Sequence, residues 1–239
     1  MNIIFDLSGI NPYALFLILF MGFLPGFAWL LFYLKEDMHP EPKRLIAYTF
    51  IMGMASAVVA LIAETFLNIG IFPVFGIARL GIISLIVVSL VEELAKFGAA
   101  YISVSKSPYF DEPVDAMIYM IAAALGFATV ENLGAITGVS TAQGAFISSI
   151  FQITSLRFVG ATLLHSLTSA TIGYFWALDI RDFKIKKYIY IGIGLSTILH
   201  TIFNYLIIHY GDLTYLLVFL SIVGFFVLSD FEKLRRKII

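Results

Sequence analysis

The sequence predicts an all-α, polytopic membrane helix bundle of about seven transmembrane helices, and three observations carry that prediction. Residues are 60% hydrophobic and 13% charged, against roughly 45–50% and 25% in soluble domains. Apolar runs near the ~20 residues needed to cross a bilayer follow one another along almost the whole chain. Basic residues gather in alternate connections between those runs. The absence of cysteine excludes disulfides, thiolate catalysis and Cys-type zinc sites. A net charge of −1 with no basic patch outside short loops argues against nucleic acid as a partner.

Taken in order, the runs are Pro12–Leu34, Leu45–Ile69, Gly81–Val104, Val114–Thr137, Phe151–Leu178, Tyr188–His209 and Leu213–Leu228. Pro25-Gly26 should kink the first. The stretch Ile69–Ala78, with Pro73 and two glycines, reads as a turn or short interfacial piece after the second. Asp115, just after Pro113, is placed to cap or start the fourth helix. The chain 1–239 reads as one integral membrane domain whose motifs fall in residues 35–205.

Orientation follows from the basic residues. Lys35, Lys43, Arg44, Lys106, Arg181, Lys184, Lys186, Lys187, Lys233, Arg235, Arg236 and Lys237 fall on one side if the N-terminus is outside. Arg79 alone falls on the other, and Lys96 and Arg157 lie within runs. Basic residues concentrate in cytoplasmic loops, so the expected arrangement is seven spans, N-outside and C-inside, in the cell membrane.

Polar residues within the runs are few. The third carries Val91-Glu92-Glu93-Leu94-Ala95-Lys96, although an ionisable group at such depth costs about 2.5–3.5 kcal/mol on insertion scales. On a helix Glu92 shares a face with Lys96 at i, i+4 and Glu93 reaches it at i, i+3. The adjacent glutamates point about 100° apart, so one can pair with Lys96 while the other faces a different neighbour. Elsewhere stand Glu64, Glu131, Asn132, Arg157, His165, His200 and Asn204. His165 and His200 each lie about a dozen residues into their runs, or ~18 Å, near mid-membrane. Glu64, near the outer end of its run, reads as a snorkelling or solvated carboxylate. Arg157 has Glu131 as its natural partner, and Phe127 reads as a residue that sets shape.

A carboxylate facing an imidazole is the minimal kit for activating water, the carboxylate taking the proton while imidazole or amide donors hold the oxyanion. His200 and Asn204, at i, i+4, suit such an oxyanion or orienting pair. No G-x-S-x-G nucleophile motif lies near the histidines, and Ser166 turns away from the face of His165, so water is the expected nucleophile. Glu93, Glu131, His165 and His200 equally match the ligands that zinc or another divalent ion accepts. Both modes, metal-bound and metal-free, remain open from these residues.

Five motifs occur in order: Asp37-Met38-His39-Pro40-Glu41-Pro42-Lys43-Arg44; Glu92-Glu93 with Lys96; Asp115 and Tyr119 leading to Phe127 with Glu131-Asn132; Arg157 followed by His165 and Gly173; and His200 with Asn204. In these the chain resembles the PrsW family of intramembrane proteases, distantly similar to CAAX prenyl endopeptidases and their CPBP-type bacterial relatives. The resemblance implies an intramembrane endopeptidase that cleaves a membrane-anchored substrate of the anti-sigma-factor kind or another single-span protein. It points to Glu92, Glu93, Glu131, His165 and His200 as catalytic, with Asn204 in support. Lys96, Phe127, Asn132 and Arg157 stand around them. CAAX endopeptidases carry Arg one place after Lys96 and His where Glu131 stands, which argues against prenyl-protein processing. Two other classes fit the composition. An ion-coupled transporter would also place Glu, His and Lys in the membrane, but no internal repeat or pair of broken helices supports it. A catalytically inactive scaffold would keep the histidines without the full set of glutamates.

Overall fold

The structure is a computed structural model that describes residues 12–35, 39–138, 146–182 and 187–235. Asp37 and Met38 of the proline-rich motif, and the expected inner-side Lys184, Lys186, Arg236 and Lys237, lie outside the described residues. The described residues form helices and contain no strand. That is what an apolar chain must do in lipid, where no water is available to satisfy an open backbone.

The helices are α1 (Pro12–Tyr33), α2 (Lys43–Phe66), α3 (Phe72–Val74), α4 (Ile82–Val104), α5 (Pro113–Thr137), α6 (Phe146–Val159), α7 (Ala161–Asp182), α8 (Tyr188–His209) and α9 (Leu213–Arg235). Among the described residues, six helical runs are long and apolar enough to cross a membrane. The 23-residue α4 has the length as well, but its glutamates and lysine set it apart in polarity. α1 stays helical through Pro25.

Two runs differ from the sequence expectation. The second does not stop near Ile69: a π-helical turn over Leu67–Ile71 joins α2 to α3, so the helical run reaches Val74. Pro73 is tolerated because it stands at the first turn of α3, where its missing N–H leaves no bond unmade. The fifth run, expected as one helix, is interrupted at Gly160 between α6 and α7. Gly160 N–H still donates to the Leu156 carbonyl and Leu164 N–H to the Gly160 carbonyl, both at 2.9 Å, so the run Phe146–Ile180 continues across the break. Glycine is a poor helix former, and beside it the Phe158 carbonyl accepts the indole N–H of Trp29 from α1 at 2.9 Å. His165 is therefore one turn past that break, and still well inside the run Phe146–Ile180.

α5 is the axis of the bundle. Its first turn is fixed by a capping box between Glu112 and Asp115, whose carboxylate accepts the Glu112 N–H at 2.8 Å. From Val114 to Thr129 its residues are buried without interruption, and it packs against α7, α2 and α1 most extensively. Such close packing needs small residues at the crossings. A side chain at Gly53 would strike the Ala123 carbonyl, and one at Gly126 would strike that of Phe50, so α2 and α5 cross backbone to backbone.

Candidate active site

Four helices bring ionisable groups to one place beside α5. Glu92, Glu93 and Lys96 come from the middle of α4, His165 from the first turns of α7, His200 from the middle of α8 and Glu131 from the last third of α5. Glu93 and Lys96 have fully buried side chains, and Glu92, His165 and His200 are nearly so. Charges survive at such depth only when paired or hydrated.

Glu93 is the hub. Its Oε1 accepts from Lys96 Nζ at 2.7 Å, Thr168 Oγ1 at 3.0 Å and His200 Nδ1 at 2.8 Å. Since a carboxylate only accepts, Nδ1 of His200 carries the proton, which leaves Nε2 directed at Glu92 Oε2, 3.6 Å away. His165 takes the opposite tautomer. Lys96 Nζ can only donate and lies 3.0 Å from His165 Nδ1, so that nitrogen accepts and Nε2–H donates to Glu131 Oε2 at 2.8 Å. The two rings meet edge to face at 5.1 Å, and Phe127 packs 5.5 Å from His165 and 5.4 Å from the Lys96 ammonium.

Behind Glu131 a second set of contacts fixes its position. Arg157 donates to Glu131 Oε2 at 3.0 Å and to Asn132 Oδ1 at 2.5 Å. Asn132 in turn donates to Thr162 Oγ1 at 3.1 Å. Ser166 points elsewhere, 3.1 Å from the Tyr33 hydroxyl on α1.

Glu92, His165 and His200 each offer a ligand atom, and the three atoms lie within 4.8 Å of one another. Glu92 Oε2 has no hydrogen-bond partner although it is buried. An orphaned carboxylate oxygen facing two imidazoles fits a divalent ion or a water, since buried polar atoms otherwise find partners. Glu93 and Glu131, expected from the sequence as metal donors, instead hold the outer nitrogens of His200 and His165. Carboxylates orient metal-binding histidines in this way from one layer out.

Of the residues expected at the site, Asn204 alone stands apart. It is half-buried one turn beyond His200 and makes no hydrogen bond to the cluster among the described residues. Thr168 was not anticipated. It lies at i+3 from His165 on α7, which puts it on the same face, and that spacing is the signal that could have found it.

A helical bundle with membrane-length helices enclosing buried carboxylates and imidazoles is the arrangement expected of a membrane-embedded hydrolase of the intramembrane protease class. A family model described as PrsW family intramembrane metalloprotease matches residues 41–229, and the chain belongs to that family. It is 27% identical to Protease PrsW of Clostridioides difficile (strain 630) over 197 residues, covering 81% of this chain and 79% of that protein. Against Protease PrsW of Geobacillus kaustophilus (strain HTA426) the identity is 26% over 210 residues, 81% of each chain. Against that of Bacillus subtilis (strain 168) it is 24% over 226 residues, 92% of this chain and 97% of the other. No solved structure matches the chain.

Proposed function

We propose that this protein hydrolyses a peptide bond of a membrane-anchored, single-span protein within the bilayer, and that the reaction centre is Glu92 with His165 and His200. The observation that carries this reading is the buried, unpartnered Glu92 Oε2 facing His200 Nε2 at 3.6 Å and His165 Nδ1 at 4.0 Å. An anti-sigma factor is one substrate of the right kind. We take the seven-span, N-outside arrangement, with α4 as a span, as part of the same reading.

Water is the nucleophile. Glu92 Oε2 accepts one of its protons as the oxygen adds to the scissile carbonyl carbon, and returns that proton to the leaving amine nitrogen as the C–N bond breaks. Glu93 fixes the His200 ring and Glu131 fixes the His165 ring, so both imidazoles are oriented before substrate arrives. Lys96, bonded to Glu93 and to His165 Nδ1, keeps a positive charge inside the cluster, the sign that favours negative charge developing on the substrate there. Zinc or a similar divalent ion would find free donors at Glu92 Oε2 and His200 Nε2, and a third at His165 Nδ1 once the Lys96 ammonium gave it up; when bound it would polarise the carbonyl and lower the pKa of water toward ~7.

The test uses purified protein in liposomes with a single-span substrate, products being read by mass spectrometry. Cleavage by the wild type and none by Glu92→Gln is the expected result. A Glu92→Gln variant that cuts as fast as wild type removes the proposal. Elemental analysis of the same preparations, beside a His165→Ala, His200→Ala double variant, separates the two modes. Zinc lost in the double variant assigns the histidines as ligands. Undiminished cleavage in chelator with no metal assigns water activation to the carboxylates.

A further inference from the structure

Glu64 is a carboxylate within a membrane-length run that the site does not absorb, and of the two readings the sequence allowed, snorkelling or solvated, its surroundings favour the second. A snorkelling residue needs to stand near the end of its helix. Here the helical run continues through the π turn to Val74, ten residues or ~15 Å further. Glu64 also points inward. Ala57, Ala60 and Glu64 follow at i, i+3 and i+7 along one face of α2. Ala57 and Ala60 on that face pack against Phe127, Val91, Ala95 and Val130 of α5 and α4. Ile62, two residues away, faces outward at 66% exposure.

One turn past that apolar cluster, Glu64 is close enough to Glu131 and Glu92 for their charges to interact. Among the described residues no cation pairs with it. A half-buried carboxylate without a cation stays ionised in a membrane only where water reaches it. Within the cluster, side-chain exposure is 32% at Glu131 and 7% at Glu92. On α4, Ser89 Oγ and Glu92 Oε2 stand at i, i+3 on one face, both buried and both without a hydrogen-bond partner.

We infer that a water-filled vestibule between α2, α4 and α5, marked by Glu64, runs from one membrane face to Glu92 and supplies the water consumed in hydrolysis. It rests on the proposed function only for the use made of that water. Its acidic walls also raise the local concentration of cations, the sign that a metal-binding centre requires.

The chain has no cysteine, so a single introduced thiol reports alone. Glu64→Cys and Ile62→Cys proteins in sealed liposomes are treated with a small, charged, membrane-impermeant methanethiosulfonate, and modification is read as a mass shift. Only a hydrated thiol ionises and reacts, so Glu64→Cys should be modified at least about tenfold faster than Ile62→Cys, and from one face only. Val130→Cys, half-buried on α5 next to Glu131, is a second reporter should the first variant fold poorly. Thiols at 64 and 130 that react no faster than the one at 62 overturn the inference. Labelling requires no hydrolysis, so fast labelling beside a Glu92→Gln variant that still cuts would keep the vestibule and remove the proposed reaction centre.

Discussion

Glu93 grips His200 through Nδ1 at 2.8 Å, so this glutamate is committed to a neighbouring ring and leaves its sequence neighbour to face the reaction space. Two substitutions of the same chemistry should therefore behave differently. Glu93→Gln strips a fully buried ammonium of its counter-ion, a change that typically costs about 3–5 kcal/mol, so it should lower the melting temperature in detergent as well as activity. Glu92→Gln removes a carboxylate that has no partner. It should reduce cleavage by about 10²–10⁴-fold, the usual contribution of a general base, without lowering the melting temperature.

Arg157 touches Glu131 and Asn132 and neither histidine. Arg157→Ala should leave the fold intact while letting Glu131, and with it the His165 ring, wander. Outer-layer partners of this kind are commonly worth about 10–100-fold, so cleavage should fall by that amount. Arg157→Lys should recover only part of it, because a single ammonium does not reproduce the two-pronged contact.

The Thr168 hydroxyl divides its proton between Glu93 Oε1 and the His165 carbonyl of its own helix. Thr168→Val keeps the shape and deletes the donor. A buried hydrogen bond to a charged group is worth about 1.5–3 kcal/mol, so turnover should drop by one to two orders of magnitude with KM little changed. Thr168→Ser should restore most of the loss, which a purely steric role would not allow.

Gly126 lets α5 meet the backbone of α2 at Phe50. Gly126→Leu should part the two helices, and overpacking of a filled interior typically costs about 1–3 kcal/mol or more. Thermal melting followed by circular dichroism will read the loss directly. The glycine at 98, where an added Cβ meets nothing within 4 Å, should accept Ala without penalty.

Most of the centre was legible from the order of polar residues in otherwise apolar runs. Glu92, Glu93, Lys96, Glu131, His165 and His200 were all expected together, because each is too costly in lipid to be idle. Which glutamate pairs with Lys96 was not legible. Spacings of three and four are locally equivalent on a helix, and the choice is made by His200 and Thr168 from α8 and α7. Asn204 shares the phase of His200 but sits a turn further along α8, past the end of the cluster, so its half-buried position depends on where the neighbouring helices end. The break at Gly160 leaves no mark in hydropathy, since α6 and α7 are both apolar and the helical hydrogen bonds carry on across it. Thr168 was hidden among Thr162, Ser166, Ser169 and Thr171, a run of small hydroxyl residues in which only contact tells one from another.

The burial of α5 on nearly all sides has a consequence for how the protein is made. Its largest partner, α7, is translated after it, and His200 arrives later still on α8. A newly inserted α5 must wait with its α7-facing side uncovered, and the cluster of carboxylates and imidazoles cannot assemble until the C-terminal half of the chain has been made. An unfinished chain thus holds the carboxylates of α4 and α5 without the imidazoles that α7 and α8 bring to them.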